Sequence, residues 1–376
     1  MAGTGRFDYL DGVRAVAIVV VLALHWFSWY VPLFHGGVIG VDLFFVLSGF
    51  IITTVLWRGA TGYAAFAWRR VVRLYPALVG LVVGSVLLYA VVPSAPIDAP
   101  DVGRRGLLVL AQASSVWAAE QQGSLWLPEL QPFGHTWSLA VEWYFYLLWP
   151  AGVLAARRQG WSARRLAGVS LGLAAVLYAG SLALSPFSGT FWFYFGPTAR
   201  FAELLVGAAL ALHLTSGARA GRGGTAPAAL ALAAVAAYSL VGTDGSSPVY
   251  RYVGVPVAVV AGVVLIRAGY ADRAGPVQRL LGHPWVATLG RHSYSLYLWH
   301  LVPFLVLEHA EAPKLVLGLA AVGLAVVLTV LSHRYLERPF LRARSDVLTR
   351  PGAGQGGAPR PSPAPSPGRR RPSPTG

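Results

Sequence analysis

Leu10-Asp-Gly-Val-Arg14, running through an apolar stretch to His25, and Gly40-Val-Asp-Leu-Phe-Phe-Val-Leu-Ser-Gly49 decide how the rest of the chain is read. The first segment places an arginine and a histidine eleven positions apart on one apolar run. Ionisable groups at membrane depth are costly, so they face the protein interior and mark chemistry or transport. Eleven residues is close to three helical turns. Arg14 and His25 therefore share a helix face, roughly 16 Å apart along the axis. A charge held near one membrane surface and a titratable base deep inside is the arrangement this implies.

The surrounding composition agrees. Of 376 residues, 55% are hydrophobic and only 12% charged, against about 25% charged in a soluble domain. Most of the length is expected to lie in a membrane. No cysteine is present, which excludes disulfides, thiolate nucleophiles and cysteine-based metal sites. The first apolar run is too long for a cleaved signal peptide and shows no small-residue cleavage pattern. The formal net charge of +15 comes from 29 Arg and a single Lys. Most of these arginines sit between apolar runs, so they orient a membrane protein rather than bind nucleic acid.

Apolar runs of spanning length fall at about 10–30, 38–57, 72–92, 136–156, 166–185, 198–214, 226–242, 252–268, 286–307 and 315–335. Arginine is concentrated in alternate connections. With a cytoplasmic N-terminus the inside loops hold Arg58, Arg69, Arg70, Arg73, Arg157, Arg158, Arg164, Arg165, Arg219, Arg222, Arg267, Arg273 and Arg279. The C-terminal end adds Arg334, Arg338, Arg342 and Arg344, while the outside loops hold only Arg104, Arg105, Arg251 and Lys314. The expected fold is an all-α, polytopic membrane helical bundle of about ten spans with both termini cytoplasmic. Gly106–Trp117 is too short to span and reads as a re-entrant or interfacial piece in a long outside loop over 93–135, a lid over an outer vestibule. Residues 1–345 form the expected membrane domain. Residues 346–376, rich in Pro, Arg, Ser and Gly, read as a disordered cytoplasmic tail.

Several constellations carry chemistry. Trp68-Arg69-Arg70-Val-Val-Arg73-Leu-Tyr-Pro76 sits where an inside loop is expected to enter the third span. Arg70 and Arg73 share a face at i, i+3, guanidinium forks suit phosphate, and a helix start favours anions. Arginines flanking a span also serve orientation alone. In His135-Thr-Trp-Ser-Leu-Ala-Val-Glu142, the carboxylate lies about two turns into a span with no cation near it in sequence. Such a group orients a histidine, binds a hydroxyl or joins helices. Asp42 lies towards the same outer end as His25 and is a candidate partner for it. Ser48-Gly49 reads as a close-packing pair, and Arg200 with Glu203 as an i, i+3 ion pair. His300 reads as a satisfied polar residue with a cavity-lining alternative. No histidine pair has metal-ligand spacing, so no metal is expected.

Taken in order, these blocks resemble the membrane acyltransferase-3 family of integral-membrane O-acyltransferases. The resemblance rests on Leu10–Arg14 with His25, Gly40–Gly49, Arg69-Arg-Val-Val-Arg73-Leu-Tyr-Pro76, Trp137–Glu142 through Trp149-Pro150, and Ser293–His300. It runs from about residue 7 to 340. It implies transfer of an acyl group, acetyl in many members, from acyl-coenzyme A to a hydroxyl of a carbohydrate or glycosylated metabolite. No other cofactor is implied. It assigns His25 as general base, Glu142 or Asp42 as its orienting group, and Arg14, Arg69, Arg70 and Arg73 as the coenzyme A phosphate site. Ser48, His135, Arg200, Glu203 and His300 are expected to line the cavity. Some members carry an added extracytoplasmic esterase-like domain; this sequence shows none, so it is expected to act alone or with a separate partner. The expected location is the inner (plasma) membrane. A transporter or flippase is the rival reading, although the paired broken helices of such proteins are not evident.

Overall fold

The computed structural model describes residues 4–28, 31–59, 62–92, 95–121, 124–216, 225–270, 275–308 and 310–339. The tail expected from residue 346 lies outside the described residues, as do Arg219, Arg222, Arg273, Arg342 and Arg344. The described residues hold helices and connecting turns, without a strand.

Helix α1 (Thr4–Phe27) and helix α2 (Ile39–Arg58) are followed by α3 (Tyr63–Val91). Two short helices, α4 (Ala99–Leu110) and α5 (Ser114–Glu120), occupy the long connection before α6 (Trp137–Arg158). Next come α7 (Ala163–Phe195), α8 (Pro197–Thr215), α9 (Thr225–Val241) and α10 (Val255–Ala268). The last third holds α11 (Pro276–Leu281), α12 (Pro284–Arg291), α13 (Ser293–Trp299), α14 (Val302–Leu307) and α15 (Lys314–Ser332). Eight helical segments among the described residues are long and apolar enough to cross a membrane. Two shorter apolar helical segments, Thr225–Val241 and Ser293–Leu307, stand where the seventh and ninth spans were expected.

Burial sorts these helices into centre and rim. In the apolar windows of α2 and α8, 72% and 78% of residues are buried, against 22% in α7 and α15. The centre exists because two glycines let backbones meet. A Cβ on Gly49 of α2 would fall 1.8 Å from the Leu204 carbonyl oxygen of α8, and one on Gly207 would fall 2.0 Å from that of Val46. Small residues at such crossings are how membrane helices gain dispersion contact where lipid offers no hydrophobic drive.

Two expectations need correction. The third span was placed at 72–92, but α3 begins at Tyr63. Arg69, Arg70 and Arg73 therefore sit within the helix rather than at its start, and whatever anion affinity they have comes from their guanidinium groups, not from a helix terminus. The ninth span was read as one run over 286–307, but it is three short helices broken at His292 and at His300–Leu301. Pro303 explains the second break. It has no N–H to donate to the Trp299 carbonyl four residues back, and it is tolerated in the first turn of α14. The His300 carbonyl at the break accepts Trp26 Nε1–H at 3.0 Å.

Candidate active site

Three cavities converge along α1. The first lies at the Arg14 end and has a volume of about 100 Å³. Arg14, Arg70 and Arg73 project into it, together with Ser48, Glu142 and Tyr146. Glu142 is fixed by two hydroxyls. Ser48 Oγ donates to its Oε1 at 2.5 Å, and Tyr146 OH donates to its Oε2 at 2.7 Å. Tyr146 lies one helical turn beyond Glu142, so α6 supplies both groups from one face. The Arg70 guanidinium stands over the Tyr146 ring at 5.2 Å and over the Phe66 ring at 5.1 Å. Such stacking orients the arginine at the cavity wall. Arg14 is 3.7 Å from Asp11 on its own helix, and Arg291 of α12 joins Asp8 at 3.1 Å. Arg69 does not line this cavity.

The second cavity, of about 150 Å³, lies at the His25 end. His25, His35, Trp126, His135, Tyr194 and Asp244 are among its walls. Trp126 comes from the connection between α5 and α6 and packs edge-on against His25, with ring centroids 5.7 Å apart. The long loop thus covers this end of α1. A third cavity, of about 240 Å³, also reaches His25, from between α14 and α15.

Three histidines form one cluster. The His300 ring lies 4.8 Å from that of His25 and 5.1 Å from that of His135. Each is held by a backbone carbonyl, which can only accept. His25 Nδ1 pairs with Val21 O at 2.9 Å, His135 Nε2 with Leu298 O at 3.1 Å, and His300 Nδ1 with Tyr297 O at 2.7 Å. Those nitrogens carry the proton in a neutral ring. His25 Nε2, His135 Nδ1 and His300 Nε2 are left as the lone-pair nitrogens, and the latter two are buried without a hydrogen-bond partner among the described residues.

Tyr297 joins the two ends. It lines both the arginine cavity and the His25–Asp244 cavity, as does Val41. Its hydroxyl pairs with Ser138 Oγ at 2.8 Å and donates to His135 O at 2.6 Å. Among the described residues, Tyr297 and the aliphatic Val41 are what the two cavities share.

The sequence-derived candidates are only partly gathered. Arg14, Arg70, Arg73, Ser48 and Glu142 meet in one cavity; His25 and His135 meet in another, with His300 fully buried behind them. Asp42 does not take the His25 partnership expected of it. It is completely buried and paired with Arg200, while Tyr250 OH donates to its two carboxylate oxygens at 2.9 and 3.0 Å. Arg200 also meets Glu203 at 2.7 Å, as the i, i+3 spacing indicated. This buried knot of α2, α8 and the turn before α10 lines none of the three cavities. Tyr146, Tyr294, Tyr297 and Ser138, which sequence reasoning passed over, do line the first.

Fold and site together define a multi-pass membrane protein whose interior is charged at one end and imidazole-rich at the other. The comparisons with known proteins give that class a family. A family described as an acyltransferase domain matches residues 7–334. The chain belongs to it. It is 28% identical over 358 residues to peptidoglycan O-acetyltransferase OatA of Listeria monocytogenes, covering 88% of this chain and 55% of the relative. It is 29% identical over 363 residues to the putative peptidoglycan O-acetyltransferase YrhL of Bacillus subtilis, covering 88% and 54%. A putative O-acetyltransferase of Staphylococcus aureus is 24% identical over 357 residues, covering 88% and 56%. The chain thus spans about half the length of these curated relatives. No solved structure matches it.

Proposed function

We propose that the chain is a plasma-membrane O-acyltransferase with both termini in the cytoplasm. It takes an acyl group, acetyl by analogy with the relatives' names, from acyl-coenzyme A on the cytoplasmic side. It places that group on a carbohydrate hydroxyl on the other side. Arg14, Arg70 and Arg73 hold the coenzyme A phosphates at the mouth of the first cavity, where charge-assisted contacts to bidentate guanidinium groups are strongest. Glu142, with Ser48 and Tyr146, lies on the route of the pantetheine arm.

At the far end the acceptor hydroxyl meets His25. Its Nδ1–H is spent on Val21 O, so Nε2 takes the hydroxyl proton as the acceptor oxygen attacks the thioester carbonyl. The new C–O bond forms, the C–S bond breaks, and coenzyme A leaves as thiolate and recovers the proton. Trp126, His35 and Asp244 present the ring faces and polar groups that a sugar acceptor needs.

The observation that carries this reading is Tyr297, a single side chain common to the arginine cavity and a histidine cavity. A transporter reading is not favoured by the family to which the chain belongs. The test is turnover of labelled acetyl-coenzyme A by membranes holding wild type or His25→Ala, at matched protein levels. The expected result is loss of transfer by about 10² to 10⁴-fold with donor binding retained. Full turnover in His25→Ala would overturn the mechanism.

A further inference from the structure

The largest of the three cavities that converge on α1 has no part in the scheme above. It lies between α14 and α15, with a volume of about 240 Å³, and His25 stands at its inner end. Its walls are aliphatic and aromatic: Phe304, Leu305, Leu317, Gly318 and Ala321. Among the described residues that line it, the charges are Glu308 and Lys314, both exposed, one after the end of α14 and one at the start of α15. They sit on the connection between these helices, at the rim. The other cavity at His25 adds His35, Trp126, Asp244 and Tyr194 to aliphatic walls from Val21, Leu24, Val38 and Leu125, so it is the more polar of the two. Leu301, at the break after α13, is common to the two. His25 thus stands where a polar chamber and an apolar one meet.

We propose that the apolar chamber is a binding site for the aliphatic part of an amphiphilic acceptor, whose sugar occupies the polar chamber. This rests on the reading of His25 as the group that meets the acceptor hydroxyl, and it names the substrate class: a carbohydrate bearing a lipid or aliphatic aglycone. An acetyl group has one methyl and needs no chamber of this size, so the chamber answers to the acceptor rather than to the donor. Its charged rim lies at the end of α14 that the acceptor would approach. The break at His300–Leu301 separates α13 from α14, and α14 walls the space together with α15.

The test uses the protein in lipid nanodiscs and two photoreactive alkyl glycosides, one with a diazirine on the alkyl end and one with it on the sugar. Labelled residues are mapped by mass spectrometry without any donor, so the result does not depend on catalysis. The alkyl-end probe is expected to label Phe304–Leu307 and Leu317–Ala321. Gly318→Leu is expected to cut that labelling at least about tenfold, the equivalent of roughly two buried methylenes. The sugar-end probe continues to label near Trp126. Leu317→Trp, at a half-exposed position, fills the same space should Gly318→Leu fold poorly. In transfer assays the filled variants are expected to lose the preference for alkyl glycoside over free sugar and keep the rate on free sugar. Alkyl-end labelling spread over the lipid-facing sides of α7 and α15, unaltered by Gly318→Leu, overturns the proposal. So does a filled variant that shifts preference among acyl-coenzyme A chain lengths and leaves acceptor KM unchanged, because the chamber would then hold the acyl chain. Localised, Gly318-sensitive labelling without any transfer activity would uphold the chamber and refute the role given to His25.

Discussion

Replacing Arg200 by methionine removes the one cation that serves two carboxylates in the buried knot. Arg200, Asp42 and Glu203 have side chains with no solvent exposure. Removing one partner of a buried pair leaves an uncompensated charge and costs about 3–5 kcal/mol. That is a large part of the roughly 5–15 kcal/mol by which a folded domain is stable. At about 2 °C per kcal/mol for a large chain, Arg200→Met is expected to lower the melting temperature by about 6–10 °C. Glu203→Gln is the opposite case. Asp42 and Arg200 still pair, Tyr250 still donates to Asp42, and no buried charge is left without a partner, so stability is expected to stay within about 1 kcal/mol of wild type. Arg200→Met combined with Asp42→Asn and Glu203→Gln is expected to recover most of the loss, because the buried charges leave together. The assay is thermal unfolding in detergent followed by size-exclusion fluorescence. If Arg200→Met melts within 2 °C of wild type, or Glu203→Gln is as damaging, the knot is not held by charge and the reasoning fails.

Arg70→Ala and Arg73→Ala are each expected to raise the KM for acyl-coenzyme A about 10- to 100-fold with kcat largely kept, as each removes about 1.5–3 kcal/mol of charge-assisted bonding. Arg69→Ala, outside the cavity, is expected to change that KM less than twofold in the same radiolabel assay. Glu142→Gln exchanges one hydroxyl-accepting oxygen for an amide donor, so either Ser48 or Tyr146 loses its partner. Transfer rate is expected to fall about tenfold or more, and Ser48→Ala in the same background is expected to add little, since the two groups act as one unit. Gly49→Ala drives a methyl against the Leu204 carbonyl oxygen and is expected to cost about 1–3 kcal/mol or more, read as lost monodisperse protein on size exclusion.

How much of this was legible in the chain differs by interaction. Hydropathy located the long helices because it acts on whole segments. Arg14, Arg70, Arg73 and Glu142 were legible as a set because charge inside an apolar run is conspicuous wherever it falls. Asp42 was visible for the same reason, but its partner was not. Arg200 lies 158 positions away, and nothing local distinguishes it from His25 as a neighbour. Tyr146, Tyr294 and Tyr297 were passed over, because aromatic packing and interface anchoring give the same pattern as a buried hydroxyl donor. The break in the ninth span was announced by Pro303, yet its consequence, a cavity beside His25, depends on where α15 passes.

Tyr297 has a further consequence, for the cell rather than for the reaction. A bilayer insulates because its hydrocarbon is about 30 Å thick. Where cavities enter from the two ends of α1, that thickness contracts to the shared wall of Tyr297 and Val41. In the proposed plasma-membrane setting the phenol ring is part of the wall that separates the two sides. Its hydroxyl is tied on one side to Ser138 and on the other to the His135 carbonyl, which holds the ring across the gap. On the proposed route the acyl group passes this ring, so the speed of transfer and the tightness of that wall would be set by the same side chain.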